Sequence, residues 1–298
     1  MTHNVLVPPA HQNTAISAEG TPIGYRTLGS GPGLIVVGGA LRTAEDYLPL
    51  ATALAESCTV HVVDRRGRGT SGPQGPRYSL RTEVEDLLAI HTETGARWAF
   101  GHSYGGHVVL ETARTTQTLD RIVVYEPGVP CAPVPTDWMA PYRERLDADD
   151  PHGAFAHFIR GSGGAPAFVA KLPHWYLRTA MSLGLRGSAW RRIRPLLWAN
   201  LAEHEQIAAR QGRLDDYRVV ATPTLLLGGG NSPATSRTEL ARLQRTLPHA
   251  VLESLPRLNH FGPEGKTAAR VGRPTLAFLL GTTPRTASQP NTPGRHQE

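Results

Sequence analysis

The residues best placed to do chemistry in this 298-residue chain are Gly101-His102-Ser103-Tyr104-Gly105, followed by Gly106. A G-x-S-x-G pentapeptide alone is a weak signal, but its setting here is specific. The buried-strand pattern RWAFGHS (97–103) runs straight into the helical pattern HVVLETAR (107–114). So sharp a strand-to-helix turn needs small neighbours, and it holds the serine oxygen at the sheet's edge beside the positive end of a helix. A serine hydroxyl is a poor nucleophile until a nearby imidazole takes its proton, so a histidine is called for elsewhere in the chain. Two other patterns fail on context. Gly67, Gly69 and Gly72 satisfy G-x-G-x-x-G, but Pro73 and Pro76 follow, and no helix opens there to receive a pyrophosphate. His204-Glu205 does not continue to H-E-x-x-H, because residue 208 is alanine.

Strand and helix patterns alternate on both sides of the turn. NTAIS (13–17) and TPIGYRTLG (21–29) flank Glu19-Gly20 and predict a hairpin. Strands are predicted at LIVVGG (34–39), CTVHVVD (58–64), RIVVYEP (121–127), TPTLLLGG (222–229) and AVLESL (250–255). Helices are predicted over 44–56, 79–95, 236–246 and near 266–280, with Ser79 as an N-cap and Gly95 as a stop. This alternation implies a mostly parallel sheet covered on both faces. Residues 132–214 break the pattern with helical spacing, no strand run, and Trp138, Trp175, Trp190 and Trp198. They are read as a helical insertion above the C-terminal ends of the strands, where ligands bind in open α/β sheets. The expected organisation is a core over 1–131, a helical cap over 132–214, the rest of the core over 215–282, and a disordered tail over 283–298.

Composition sets the class. With 40% hydrophobic and 19% charged residues, the chain reads as an ordinary soluble globular protein, long enough for one large α/β domain with an insertion. No apolar run reaches the roughly 18 residues that span a bilayer, so no membrane partner is expected. MTHNVLVPPAHQNTA lacks a basic region followed by an apolar stretch, so no signal peptide and a cytoplasmic setting are expected. Cys58 and Cys131 make neither a disulfide framework nor a metal pattern. The net charge of +6 invites a nucleic-acid reading, but the arginines are spread along the chain, and no such partner is expected. The densest stretch, Arg186, Arg191, Arg192 and Arg194, reads as a solvated helix face or as a dock for an acidic partner or anionic substrate.

From the serine turn outward, over about residues 15–282 apart from the insertion, the chain resembles the α/β-hydrolase superfamily. Asp64-Arg65-Arg66-Gly67-Arg68-Gly69-Thr70-Ser71 is similar to its D-x-R-G-x-G-x-S turn, with Asp64 in a structural role. Leu255-Pro256-Arg257-Leu258-Asn259-His260-Phe261 is similar to the loop carrying its general base, which implies that role for His260. The resemblance also implies an oxyanion hole made by the Tyr104 N–H and one donor from Val37-Gly38-Gly39-Ala40-Leu41. Alignment selects Ala40, with Gly39 the near alternative. The family often has His-Gly where this chain has Gly38-Gly39, but backbone donors need no particular side chain.

The third catalytic member departs from the family. Its acid usually follows the strand corresponding to TPTLLLGG, where this chain has Asn231; the next acidic residue, Glu239, lies inside a predicted helix. Asparagine can orient an imidazole but cannot neutralise it, and in serine proteases that exchange costs about four orders of magnitude. Glu126, ending the strand before the insertion, is the expected replacement. Some superfamily members, a group of haloalkane dehalogenases among them, place the acid there, although a Glu-Pro at this point also occurs in relatives that keep the usual acid.

The resemblance therefore implies an α/β-hydrolase fold: an eight-stranded, mostly parallel sheet with helices on both faces and a helical cap. It implies a serine hydrolase that cleaves an ester, thioester or lactone of a small apolar molecule through an acyl-enzyme, without a cofactor. A serine at the turn argues against epoxide hydrolase and dehalogenase chemistry, which in this superfamily resembles an Asp-dependent reaction. Two readings compete: a non-hydrolytic biosynthetic enzyme (lyase, cyclase or acyltransferase) on the same fold, and a non-catalytic small-molecule-binding protein.

Overall fold

The computed structural model describes residues 10–163 and 167–282. In chain order the core contributes β1 (His11–Ile16), β2 (Pro22–Leu28), β3 (Gly33–Val37), α1 (Leu48–Leu54), β4 (Thr59–Val63), α2 (Leu80–Thr94), β5 (Trp98–His102), α3 (Tyr104–Thr115) and β6 (Arg121–Tyr125). Six helices follow: α4 (Met139–Asp147), α5 (Pro151–Gly161), α6 (Ala167–Ala170), α7 (His174–Gly184), α8 (Gly187–Ile193) and α9 (Leu197–Ala209). The core resumes with β7 (Thr224–Gly229), α10 (Ala234–Thr246), β8 (Ala250–Leu255) and α11 (Ala268–Leu279).

The eight strands form one sheet in the order β1-β2-β4-β3-β5-β6-β7-β8. β1 and β2 make the predicted antiparallel hairpin, and β2 pairs antiparallel with β4. From β4 to β8 every pairing is parallel. The central strands are apolar throughout because both faces are covered. Alternate side chains go to opposite layers: Leu34 and Val36 pack with Leu50 and Leu54 of α1 and Val271 of α11. Ile35 and Val37 pack instead with Leu87 of α2, Val108 of α3 and Leu243 of α10. From β3 the chain passes first to β4 on one side and then to β5 on the other, so the crevice between the ends of β3 and β5 is a topological switch point.

Boundaries differ locally from the sequence reading. β1 begins at His11, two residues before the predicted strand. The helix predicted over 44–56 is a 3-10 turn (Ala44–Tyr47) followed by α1, with Pro49 in a first turn where its missing N–H costs nothing. α2 is capped as predicted: Ser79 Oγ accepts from the Thr82 N–H at 3.3 Å, and Gly95 ends the helix at φ +68°.

The insertion between β6 and β7 has its own apolar cluster, built on Trp138, Tyr142, Phe155, Trp190 and Leu197, which Leu41 of the core joins. Trp138 and Trp190 are buried there, whereas Trp175 and Trp198 are exposed. Arg186, Arg191, Arg192 and Arg194 are exposed too, as a solvated helix face requires. Cys58 and Cys131 are buried and unpaired. Among the described residues no helix is long and apolar enough to cross a membrane. The tail predicted over 283–298 lies outside the described residues.

Candidate active site

Ser103 sits between the last residue of β5 and the first of α3, at the switch-point crevice. Its backbone takes φ +53° and ψ −123°, a region that costs a non-glycine residue strain. The Ser103 N–H donates to the Tyr125 carbonyl at 3.0 Å, and the Ser103 carbonyl accepts from the Gly128 N–H at 2.8 Å. The glycines are demanded by contact. A Cβ on Gly101 would lie 2.6 Å from the Gly105 carbonyl oxygen, and one on Gly105 would lie 2.2 Å from that of Val37. Of the non-glycine residues at positive φ, Leu41, Ser103, Glu126 and Arg257 all flank this site.

Glu126, also at positive φ, ends β6 and projects toward the loop after β8. Its Oε2 lies 2.9 Å from His260 Nδ1, while its Oε1 accepts from the Gly229 N–H at 2.8 Å and from the Ser232 hydroxyl. Burial pushes the Glu126 carboxyl up, but the bonds from His260, Ser232 and Gly229 outweigh it and hold the carboxyl below its ordinary range. An Nδ1 facing a carboxylate carries the ring hydrogen, which leaves the Nε2 lone pair free in the neutral ring. The Asn231 N–H bonds the Leu258 carbonyl at 2.7 Å, and among the described residues its side chain makes no hydrogen bond to His260. Of the two residues considered as partners for the imidazole, Glu126 is the one that meets it. Ser103 Oγ makes no hydrogen bond to His260 among the described residues. His102, which precedes Ser103, has its ring 4.8 Å from that of His260.

The loop after β3 faces the serine: a Cβ on Gly39 would lie 3.0 Å from Ser103 Cβ. The Gly39 N–H is already committed to the Tyr47 hydroxyl at 2.8 Å. Ala40 and Tyr104 have backbone N–H groups with no partner among the described residues, and the latter is a first-turn donor of α3. This separates Ala40 from its near alternative. Arg65 grips the back of the loop, donating to the Gly38 carbonyl at 2.9 Å and the Gly39 carbonyl at 3.1 Å. Asp64 ties turns together, accepting from the Ala44 N–H at 2.7 Å and the Thr70 N–H at 3.1 Å.

A cavity of about 170 Å³ opens beside this loop, lined by Leu41, Arg42, Asp46, Arg192, Leu196 and Glu264. A larger one, about 500 Å³, lies at the far end of α3 around Arg114, Thr116 and Thr222. That end carries the N-terminal edges of the strands, away from the switch point, and neither Ser103 nor His260 lines either cavity. Among the described residues no group of His, Cys, Asp or Glu is arranged to hold a metal ion.

Several contributors were not singled out by the sequence. Ser232 sits one residue beyond Asn231. His102 and Tyr47 are joined by a hydrogen bond of 2.6 Å. Arg65 and Arg68 meet Glu203 of α9. The one available signal was His102 itself: a histidine ending a buried parallel strand must satisfy both ring nitrogens. Two histidines given no catalytic role keep structural partners, His61 with the Thr27 hydroxyl at 3.0 Å and His204 with the Asn200 carbonyl at 2.8 Å.

Known proteins place the chain. It is 29% identical to an alpha/beta hydrolase from Sphaerobacter thermophilus, with a TM-score of 0.76 over 90% of this chain and 100% of that one. An enol-lactonase from Burkholderia xenovorans superposes with a TM-score of 0.66 over 90% of this chain and 100% of that one, at 17% identity, a likeness of fold. In sequence the chain is 26% identical to a protein of Agrobacterium fabrum named as a carbamate hydrolase, RutD. That match takes in 45% of this chain and 63% of that protein. The model of the alpha/beta hydrolase family matches residues 34–271, most of the chain. The protein therefore belongs to the alpha/beta hydrolase family.

Proposed function

We propose that this protein is a serine hydrolase acting through an acyl-enzyme on an ester, thioester or lactone of a small, largely apolar molecule. The observation that carries the reading is the Glu126–His260 pair, 2.9 Å apart, set beside a serine on a strained turn with two unengaged backbone donors. Ser103 Oγ attacks the substrate carbonyl while His260 Nε2 takes the hydroxyl proton; Glu126 orients the ring and balances the imidazolium. The Tyr104 and Ala40 N–H groups hold the oxyanion. As the tetrahedral adduct collapses, His260 returns the proton to the leaving group. Water then repeats the sequence on the acyl-enzyme, releasing the acid and restoring Ser103. Closing the Ser103–His260 hydrogen bond belongs to the substrate-bound state, where such bonds tighten. The helical insertion serves as the cap that selects the substrate. Carbamates fall within the same acyl chemistry, and the partial likeness to a protein named as a carbamate hydrolase keeps them in the substrate class.

The test is intact-mass detection of fluorophosphonate labelling at Ser103 in wild type, His260→Ala, Glu126→Gln and Asn231→Ala. Single-site labelling is expected in wild type, abolished by His260→Ala, and slowed by about three to four orders of magnitude in Glu126→Gln but not in Asn231→Ala. A folded wild type that stays unlabelled would refute the proposal and leave the non-hydrolytic and binding readings.

A further inference from the structure

Three hydrogen bonds run in series beneath the site. The Gly39 N–H donates to Tyr47 Oη at 2.8 Å, Tyr47 Oη meets His102 Nδ1 at 2.6 Å, and His102 Nε2 meets the His260 carbonyl at 2.8 Å. The direction of each bond follows from the chemistry of its ends. A carbonyl has no hydrogen to give, so His102 Nε2 carries one. Burial holds the His102 imidazole neutral, well below the ordinary histidine range, so Nδ1 is a lone pair and accepts the Tyr47 O–H. Tyr47 Oη keeps its own lone pairs for the Gly39 N–H. Tyr47 is fully buried and His102 is 2% exposed, so water offers no substitute for these partners.

We infer that Tyr47 and His102 are positioning residues that lock the loop before the oxyanion donor Ala40 to the backbone of the base His260, with the residue preceding Ser103 as the link. The chain touches all three parts of the proposed machinery without touching substrate. At one end it engages Gly39, which leaves Ala40 as the free donor. In the middle, His102 is bonded in sequence to Ser103. At the other end it fixes the peptide that carries the imidazole. A second anchor stands alongside: Tyr125, which precedes Glu126, donates to the Asn259 carbonyl at 2.7 Å. Side chains next to Ser103 and to Glu126 thus grip consecutive carbonyls of the base loop. Proposed catalytic distances depend on such restraints, because a displacement of about 1 Å can cost a hundredfold in rate.

The inference rests on the serine hydrolase reading for its effect on rate, and two measurements keep the ideas separable. The first is the rate of fluorophosphonate labelling at Ser103 in wild type, Tyr47→Phe, His102→Asn and the double variant, with folding verified by circular dichroism. Phenylalanine keeps the packed ring and removes only the oxygen, while asparagine reaches the Nδ1 position but not the His260 carbonyl. Each single variant is expected to label at least about tenfold more slowly, and the double variant no more slowly than the slower single. With a small chromogenic ester, and rates referred to the folded fraction, the loss falls on kcat and leaves KM unchanged, whereas a smaller folded fraction alone leaves both unchanged. A single variant labelling at the wild-type rate, or losses that multiply in the double variant, would overturn the relay. The second measurement is NMR of protein selectively labelled with 15N-histidine and 15N-phenylalanine, which reads the bonds even if Ser103 never reacts. An Nε2–H tautomer for His102, and displacement of its ring signals and of the Phe261 amide in Tyr47→Phe, are expected. Signals unchanged by Tyr47→Phe sink the relay, whereas an unlabelled wild type with these displacements present sinks only the hydrolase reading.

Discussion

Three donors converge on the Glu126 carboxylate, and their pull exceeds the cost of its burial. The folded pKa therefore lies below the ordinary glutamate value of about 4.3, and the sign of the pH effect follows. The stability contributed by Glu126 is fully present above that value and is lost as pH falls through the folded one. Ser232→Ala removes one donor, which should lower stability at pH 7 by about 1.5–3 kcal/mol, the worth of a hydrogen bond to a charged group. It should also shrink the acid-induced loss below the ordinary glutamate range, because the folded pKa moves toward the unfolded one. Calorimetry from pH 7 down through that range measures both effects; equal acid slopes in variant and wild type would dissociate Ser232 from the carboxylate. The sequence made Glu126 the expected replacement for the acid missing at Asn231, but could not show which of the two side chains reaches the imidazole. β6 and β7 are hydrogen-bonded neighbours, with Tyr125 opposite Leu227, so their ends lie about 4.8 Å apart. A carboxylate on either end can reach a histidine after β8, and only the direction of the side chain decides. Ser232 went unread for a related reason, since the fold selects a hydroxyl's partner and composition does not.

The strand–turn–helix unit around Ser103 was the most legible element, because a buried run, a glycine cluster and a helical pattern coincide within one short stretch. Its cost is also legible in the glycines. α3 packs its first turn against the end of β3 so closely that a Cβ on Gly105 would lie 2.2 Å from the Val37 oxygen and 2.6 Å from the Gly38 oxygen. Both obstacles are backbone at the centre of the sheet, so neither gives way. Gly105→Ala should therefore destabilise the protein by about 3 kcal/mol or more, the upper range for overpacking. The sign is diagnostic, because glycine to alanine within an open helix stabilises by about 1 kcal/mol. Gly184→Ala, in α7 with open space around the new methyl, supplies that contrast. Urea denaturation of the two variants decides the matter, and a Gly105→Ala protein as stable as wild type would mean the contact relaxes. Less legible was the split of the 44–56 segment. Asp64, twenty residues away, takes the Ala44 N–H, and a local pattern carries no trace of that bond.

At the scale of the whole molecule, the insertion and the core meet through buried charge. Glu203 of α9 places Oε1 between Arg65, at 2.8 Å, and Arg68, while Glu83 takes the other arm of Arg65 at 2.7 Å. None of these partners was foreseen from the sequence, in which Arg65 and Glu203 stand 138 residues apart. The cluster balances two cations with two anions, yet among the described residues Glu203 Oε2 and Arg68 Nε have no hydrogen-bond partner. An incompletely satisfied buried pair is poor evidence of stabilisation, because desolvation consumes most of the attraction. Breaking it from one side is another matter. Glu203→Gln leaves an uncompensated buried cation and should cost about 3 kcal/mol or more. Replacing both partners, Glu203→Leu with Arg68→Met, should recover most of that loss, since Arg65 retains Glu83. Function should not recover in step. Arg68 also donates to the Gly39 carbonyl at 3.3 Å and the Arg42 carbonyl at 3.2 Å, which flank the proposed oxyanion donor Ala40. The double variant is therefore expected to melt near wild type while labelling at Ser103 more slowly. A double variant as unstable as Glu203→Gln would show that the pair stabilises the fold; one both stable and fully reactive would show that the loop after β3 is held without Arg68.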